Sequence, residues 1–188
     1  MSRKVKSIRK ELKEGIYIFV EGESEERYFE RLKKHLNLPR IKTFKMDDSG
    51  ISLLRKSKLK MNNDARLVAI NQQNYLVFDK DNMKNDEFNE VQMLAEKENF
   101  TIGFSNIAFE VWLLAHFEKV TKGQMSNDML KKKLSGHLKQ EYKKADSKQI
   151  EKMIASYKQA IKNAEGVNEI DFDYQCTTVG AMIKDILG

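Results

Sequence analysis

The sequence predicts an α/β fold in which a central parallel sheet is flanked by helices. Four short strand-like runs alternate with amphipathic helical stretches, which is typical of right-handed strand–helix–strand units. The first run, residues 16–20, is apolar throughout, as expected for a strand that is covered on both faces. The chain shows no internal repeat and no low-complexity tract.

The hydrophobic periodicity assigns the elements of this core. The first helix carries Tyr28, Phe29, Leu32 and Leu36 on one stripe, and Pro39 follows its end. Asp86 is the predicted cap of the third helix. The predicted strands are 16–20, 41–46, 75–79 and 100–105, and the predicted helices are 24–36, 49–61, the one that follows Asp86, and 106–117.

The character of the chain changes after residue 118. Two polar amphipathic helices are predicted at 126–140 and 146–166, and a closing helix at 176–187. We therefore predict a basic N-terminal arm at 1–15, an α/β core at 16–118, and a helical extension at 119–188 that packs on the core as part of a single domain.

The amino-acid composition limits the classes of protein to which the chain can belong. Hydrophobic residues make up 40% and charged residues 33% of the 188 residues, which is ordinary for a soluble globular protein. No apolar run is long enough to span a bilayer, and the N-terminus lacks the features of a signal peptide. The single cysteine excludes an internal disulfide and a cysteine-rich zinc site. We expect a cytoplasmic protein with no membrane partner.

The net charge of +6 is compatible with a polyanionic partner such as nucleic acid. The alternative is a solvated surface that is rich in lysine, and charge alone does not separate the two. Candidate contacts are Lys56, Lys58, Lys60, Lys131, Lys132 and Lys133, but the sequence singles out none of them.

Carboxylates follow two of the predicted strands directly. Glu21 and Glu23 come after the first strand, and Asp79 and Asp81 come after the third. Ligands of open parallel sheets gather beyond the carboxyl ends of the strands, so these acids converge if the two strands are neighbours. Clustered carboxylates repel each other unless a cation compensates. Oxygen ligands without thiols favour Mg²⁺ or Mn²⁺.

Each acid also has a purely structural interpretation. Glu23, Glu25 and Glu26 can complement the dipole of the first helix, and for Glu25 and Glu26 we favour that interpretation. Asp79 or Asp81 can serve as a turn residue. The presence of two acidic strand ends favours a functional role for Glu21, Asp79 and Asp81.

The segment 105–117 contains one further candidate. Ser105 or Asn106 can cap the predicted helix, and its apolar residues pack most simply in the core. His116 is expected to be a hydrogen-bonded core histidine rather than a catalyst. Glu110 lies in the first turns, facing the edge that carries the other acids, and there a metal or a lysine would offset the cost of burying its charge.

Three sequence segments resemble known families. VEGESEERYF (20–29) and VFDKDN (77–82) resemble the Toprim pattern, in which Glu-Gly follows the first strand and Asp-x-Asp the third. FSNIAFEVWLLAHFE (104–118) resembles a segment of RloB-like proteins, a Toprim family of bacterial and archaeal defence loci. The resemblance covers roughly 16–187. It departs at Ile107, where the family usually has proline, and at Ser24, where threonine is common.

The resemblance implies a Toprim-like fold and a metal-dependent nuclease that cuts DNA or RNA, including tRNA. By analogy Glu21 would act as general acid/base or metal ligand, and Asp79 and Asp81 would hold Mg²⁺ or Mn²⁺. From their positions we add Glu23 as a further metal ligand and Glu110 as a further catalytic residue. The family is typically encoded beside an ABC-type or AAA-type ATPase in antiphage loci, which implies an ATPase partner. The alternatives are an inactive regulatory subunit that binds metal or nucleic acid and, less favoured, a primase-like nucleotidyl transferase.

Overall fold

A computed structural model describes residues 14–64, 67 and 70–188, and within these residues five strands form one sheet. The strands are β1 (Glu14–Val20), β2 (Ile41–Lys45), β3 (Ile70–Asp79), β4 (Phe100–Asn106) and β5 (Cys176–Thr177). Their order is β2-β1-β3-β4-β5, and all neighbours are parallel except β5, which runs antiparallel to β4. The predicted α/β fold with a mostly parallel sheet is confirmed. Most of the predicted basic arm lies outside the described residues.

Eight α-helices surround the sheet in the described part of the chain. They are α1 (Glu23–Leu36), α2 (Gly50–Asn63), α3 (Asn85–Lys97), α4 (Glu110–Ala115), α5 (Asn127–Leu138), α6 (Ser147–Ile154), α7 (Tyr157–Asn163) and α8 (Val179–Leu187). Within the described residues, no helix is both long and apolar enough to cross a membrane.

The sheet is covered on both faces, as the uniformly apolar β1 predicts. Ile16 and Ile18 point into one core, which is shared with α1, α4 and the C-terminal helices. Tyr17 and Phe19 point into a second core, under α2 and α3. Successive strand residues face opposite sides, so a strand buried on both sides must be apolar at every position.

Two predictions about caps are wrong. Ser105 and Asn106 do not cap a helix, because they extend β4 and pair with Thr177 and Cys176 of β5. As a result α4 begins only at Glu110 and is much shorter than the predicted helix 106–117. Asp86 is not a cap either, since α3 already begins at Asn85 and Asp86 lies in its first turn.

The helical extension differs from the prediction in two places. The predicted helix 146–166 is two helices, α6 and α7, and the break falls at Ser156. The hydroxyl of Ser156 lies 3.2 Å from the carbonyl oxygen of His116 and 2.9 Å from that of Met153, so it competes with helical hydrogen bonding. The predicted closing helix 176–187 begins only at Val179, because its first two residues form β5.

Candidate acidic active site

The ends of β1 and β3 lie side by side at the carboxyl edge of the sheet. The two strands are parallel neighbours, and Val20 pairs with Val77 in the register. The backbone amide of Asp79 donates a hydrogen bond of 3.2 Å to Oε2 of Glu21. The acids that follow the two strands therefore meet, as the sequence predicts for neighbouring strands.

Asp79, the last residue of β3, is a buried acid of this edge. Burial raises the pKa of its carboxyl well above the ordinary value, and the negative charges of Glu25, Glu110 and Glu21 raise it further. A hydrogen bond from the backbone of Phe109 opposes these effects, because it favours the ionised form. Phe109 directly precedes α4, so the turn into this helix brings Glu110 to the same edge.

Glu25 belongs to the same group although it lies on α1. Its side chain is buried, and its Oε2 atom has no hydrogen-bond partner among the described residues. Burial raises the pKa of this carboxyl to about 7; Lys144 opposes the shift, and Glu110 and Glu21 add to it. A Cβ on Gly22 would approach Oε2 of Glu25 to 3.0 Å, so glycine at this position leaves room for the carboxylate.

Glu110 is a buried acid with a defined partner. The hydroxyl of Tyr142, which follows α5, donates a hydrogen bond of 2.9 Å to its Oε1 atom. Burial and the negative charge of Glu110 raise the pKa of that hydroxyl, which keeps it protonated and able to donate. The tyrosine offsets part of the cost of burying Glu110.

Asp81 and Glu21 form the more open part of the group. Asp81 is exposed and has a positive φ of 43°, which aspartate adopts more readily than most residues. Burial raises the pKa of Glu21, and the nearby charge of Asp81 adds to this shift, whereas the backbone of Asp79 and the Ser49 hydroxyl oppose it.

One cation from the helical extension faces these acids. Partial burial lowers the pKa of Lys144, but the carboxylates of Glu110, Glu25, Asp79 and Asp81 outweigh this effect and raise it. Lys144 makes no ion pair within 4.0 Å of an acid among the described residues, so its ammonium group faces the acids without contacting them.

We call the five carboxylates of Glu21, Glu25, Asp79, Asp81 and Glu110 the acid cluster. Of the predicted site residues, the structure brings together Glu21, Asp79, Asp81 and Glu110. Glu23 lies apart: it is exposed, and its carboxylate pairs with Arg27 one turn along the same helix.

His116 lies in the core, as the sequence analysis favours. Its Nε2 atom is 3.0 Å from the Tyr28 hydroxyl, and its Nδ1 atom is 3.2 Å from the carbonyl oxygen of Trp112. Burial lowers its pKa to about 4, so the imidazole is neutral at physiological pH.

The sequence analysis favours a purely structural role for Glu25 and does not identify Tyr142 or Lys144. The spacing of Glu21 and Glu25 was an available signal, because residues four apart near a helix start can face the same way. Tyr142 and Lys144 gave no signal, since they lie in a polar connection whose docking depends on tertiary packing.

The acid cluster fits a hard divalent cation in its chemistry. Its members supply only oxygen donors, which Mg²⁺ and Mn²⁺ prefer, and the unpartnered Oε2 of Glu25 is a buried acceptor with no donor of its own. Among the described residues, however, no three acidic, histidine or cysteine side chains already form a metal-binding group. The side chains are thus neighbours without a preformed coordination geometry.

The profile of the RloB-like protein family matches residues 16–186. The chain belongs to this family. The matched range of this RloB-like protein includes every member of the acid cluster as well as Tyr142 and Lys144. No curated protein and no solved structure matched the chain.

Proposed function

We propose that this RloB-like protein is a nuclease of the Toprim type that hydrolyses phosphodiester bonds of DNA or RNA with the help of Mg²⁺ or Mn²⁺. One observation carries the proposal: carboxylates from β1, α1, β3 and α4 converge at the carboxyl edge of the sheet, where most of them are buried beside one another. Such an arrangement is destabilising without a cation, which is a reason to assign it to function rather than to stability.

The residues divide into those that hold a cation and those that support them. Glu21, Asp79 and Asp81 would hold it, and Glu25 and Glu110 are close enough to act on the same site. When bound, the cation would polarise the phosphate and lower the pKa of a water nucleophile.

Glu21, Lys144 and Tyr142 would have further roles in the reaction. If Glu21 does not bind the cation itself, it would act as the general acid or base instead. Lys144 would stabilise the negative charge that develops on the phosphate, and Tyr142 would hold Glu110 in position.

The proposal extends to the cellular setting through family membership. We propose that an ABC-type or AAA-type ATPase, of the kind typically encoded beside RloB-like proteins in antiphage loci, controls cutting. The net charge of +6 is compatible with a nucleic-acid substrate, because neutralised phosphates release counterions.

Asp81→Asn tests the catalytic proposal. Asp81 is exposed and asparagine tolerates its positive φ, so the variant should fold like the wild type. We expect wild-type protein to cut single- and double-stranded DNA or RNA with Mg²⁺ or Mn²⁺, and Asp81→Asn to lose this activity. Asp86→Asn, an exposed aspartate in the first turn of α3, is the matched control. Equal cutting by all three proteins would indicate a contaminant and contradict the proposal.

The absence of a preformed metal-binding group in the described residues favours one alternative. In this alternative the protein is a catalytically inactive subunit that binds nucleic acid and regulates a partner ATPase. Metal-dependent cutting that Asp81→Asn abolishes excludes this function, whereas binding without cutting under all conditions supports it.

A further inference from the structure

A recess lined with lysines opens on the helical extension. It lies between the end of α5 and the start of α6 and has a volume of about 340 Å³. Lys143, Lys148 and Lys152 line it, all three are exposed, and none forms an ion pair with another described residue. The acids at its wall are Glu141 and Asp146, and Asp146 already accepts hydrogen bonds from two backbone amides at the start of α6.

The recess and the acid cluster share one wall, the segment 141–145, which we call the strap. Tyr142 and Lys144 of the strap face the acid cluster, whereas Lys143 between them lines the recess. Because consecutive Cα atoms lie about 3.8 Å apart, only a few ångströms of backbone separate Lys143 from Tyr142 and Lys144.

Buried contacts hold the strap in place. Gln149 of α6 is buried, its amide nitrogen donates to the carbonyl of Glu141 at 2.7 Å, and its amide oxygen accepts from the backbone of Lys143 at 3.0 Å. Arg27 of α1 donates to the carbonyl of Ala145 at 2.6 Å. The lysines of the recess are therefore carried by a fixed element and not by a free loop.

The negative charge of the acid cluster indicates a function for the lysines of the recess. A phosphate strand that approaches the acid cluster is repelled by several carboxylates, and Lys144 is the cation of the strap that faces them. Attraction must come from cations beside the cluster. Three of the lysines considered in the sequence analysis are already paired with acids: Lys56 with Asp48, Lys58 with Glu98 and Lys133 with Glu118.

We propose that the recess binds the phosphates that flank the scissile bond of a nucleic-acid strand. This inference rests on the proposed function, because it places the substrate strand relative to the acid cluster. Phosphates of one strand follow each other at about 3.4 Å along the axis of a duplex, so a strand with one phosphate at the acids reaches the far side of the strap within one or two nucleotides.

The triple variant Lys143→Gln, Lys148→Gln and Lys152→Gln tests the proposal. A fluorescein-labelled 30-nucleotide probe, offered as DNA and as RNA in single- and double-stranded form, is titrated with protein in Ca²⁺ and followed by fluorescence anisotropy. We expect weaker binding in the variant, together with a slope of log K against log salt that is smaller by roughly 2 to 3, at about 0.7 to 0.9 per lost phosphate contact. The matched control replaces Lys97, Lys158 and Lys162, exposed lysines of α3 and α7 outside the recess, with glutamine.

Three results would overturn the proposal: unchanged binding in the recess variant, an equal loss in the control variant, or no binding by wild-type protein. Failure of the proposed function gives a different result. In that case wild-type protein shows no metal-dependent cutting, yet the recess variant still loses affinity and the control does not. Because the replaced lysines are exposed, thermal unfolding should show that all variants remain folded.

Discussion

The acid cluster predicts that the metal-free protein loses stability as pH rises. Glu25 has a pKa of about 7 in the folded protein, against 4.5 as its ordinary value. Between these values the folded state therefore binds more protons than the unfolded state. The free energy of unfolding then falls with increasing pH, because its slope follows the difference in bound protons between the two states.

The magnitude follows from the shift of Glu25. Each pH unit between the two pKa values is worth about 1.4 kcal/mol, so the gap from 4.5 to about 7 corresponds to roughly 3 kcal/mol. The loss of stability that Glu25 causes is absent below about pH 4.5, grows as pH rises, and is complete above about pH 7. Asp79, whose pKa is also raised, acts in the same direction.

Urea denaturation from pH 5 to 8.5 measures this dependence. Buried His116, whose pKa is lowered to about 4, acts in the opposite direction and adds about 2 kcal/mol of stability as pH rises from 5 to 6.5. The contribution of Glu25 is therefore read from the difference between the wild-type protein and Glu25→Gln. In EDTA we expect the wild-type protein to lose roughly 2.5 kcal/mol relative to Glu25→Gln over this range, and added Mg²⁺ to restore part of this loss at high pH by binding the folded state. Glu26→Gln, a neighbour on the same helix that leaves Glu25 intact, should retain the wild-type profile.

Parallel profiles of the wild-type protein and Glu25→Gln in EDTA would refute the reasoning, since they would mean that the Glu25 carboxyl does not have a raised pKa in the folded protein. Urea is preferable to guanidinium here, because a salt screens the charges under study.

Two further predictions concern the helical extension. Tyr142→Phe removes the hydrogen bond to buried Glu110 and should lower the free energy of unfolding by about 1.5–3 kcal/mol at neutral pH. Calorimetry would detect this as a lower melting temperature, at roughly 2–4 °C for each kcal/mol. Tyr157→Phe is the control, and an equal effect there would contradict the role of the Tyr142 hydroxyl. Lys144→Gln should slow metal-dependent cutting by a factor of roughly 10² or more with little change in substrate affinity, measured as kcat and KM on a labelled oligonucleotide. An unchanged kcat would remove Lys144 from the mechanism.

The sequence predicts the centre of the fold well because burial there is strong and local. The uniformly apolar β1 indicates a strand covered on both faces, and the acids at the ends of β1 and β3 mark the carboxyl edge. Prediction was weaker where strand residues are polar. Ile70 to Asn74 belong to β3 but lack an apolar pattern, so the predicted strand begins only at residue 75.

Other differences come from contacts between distant residues. β5 has two residues, too few for any periodicity, and its position depends on pairing with Ser105 and Asn106. The side chain of Asn106, expected as a cap, instead donates to the carbonyls of Asp171 and Tyr174, each at 2.9 Å.

In the candidate site, too, some residues could be predicted from local sequence, whereas others depend on contacts between distant residues. Glu21, Asp79 and Asp81 could be predicted because parallel strands end at one edge of a sheet. Glu25 was assigned to the helix dipole because its burial results from packing against residues far along the chain. Tyr142 and Lys144 reach the acids only because Gln149 and Arg27 fix the strap.

The central claim is that acids from distant parts of the chain hold one divalent cation together, and a calorimetric titration of metal-free protein with Mn²⁺ tests it most directly. We expect wild-type protein to bind Mn²⁺, the double variant Asp79→Asn and Asp81→Asn to lose this binding, and Glu23→Gln to retain it, since Glu23 pairs with Arg27 away from the cluster. No binding by wild-type protein, or equal binding by the double variant, would contradict the claim.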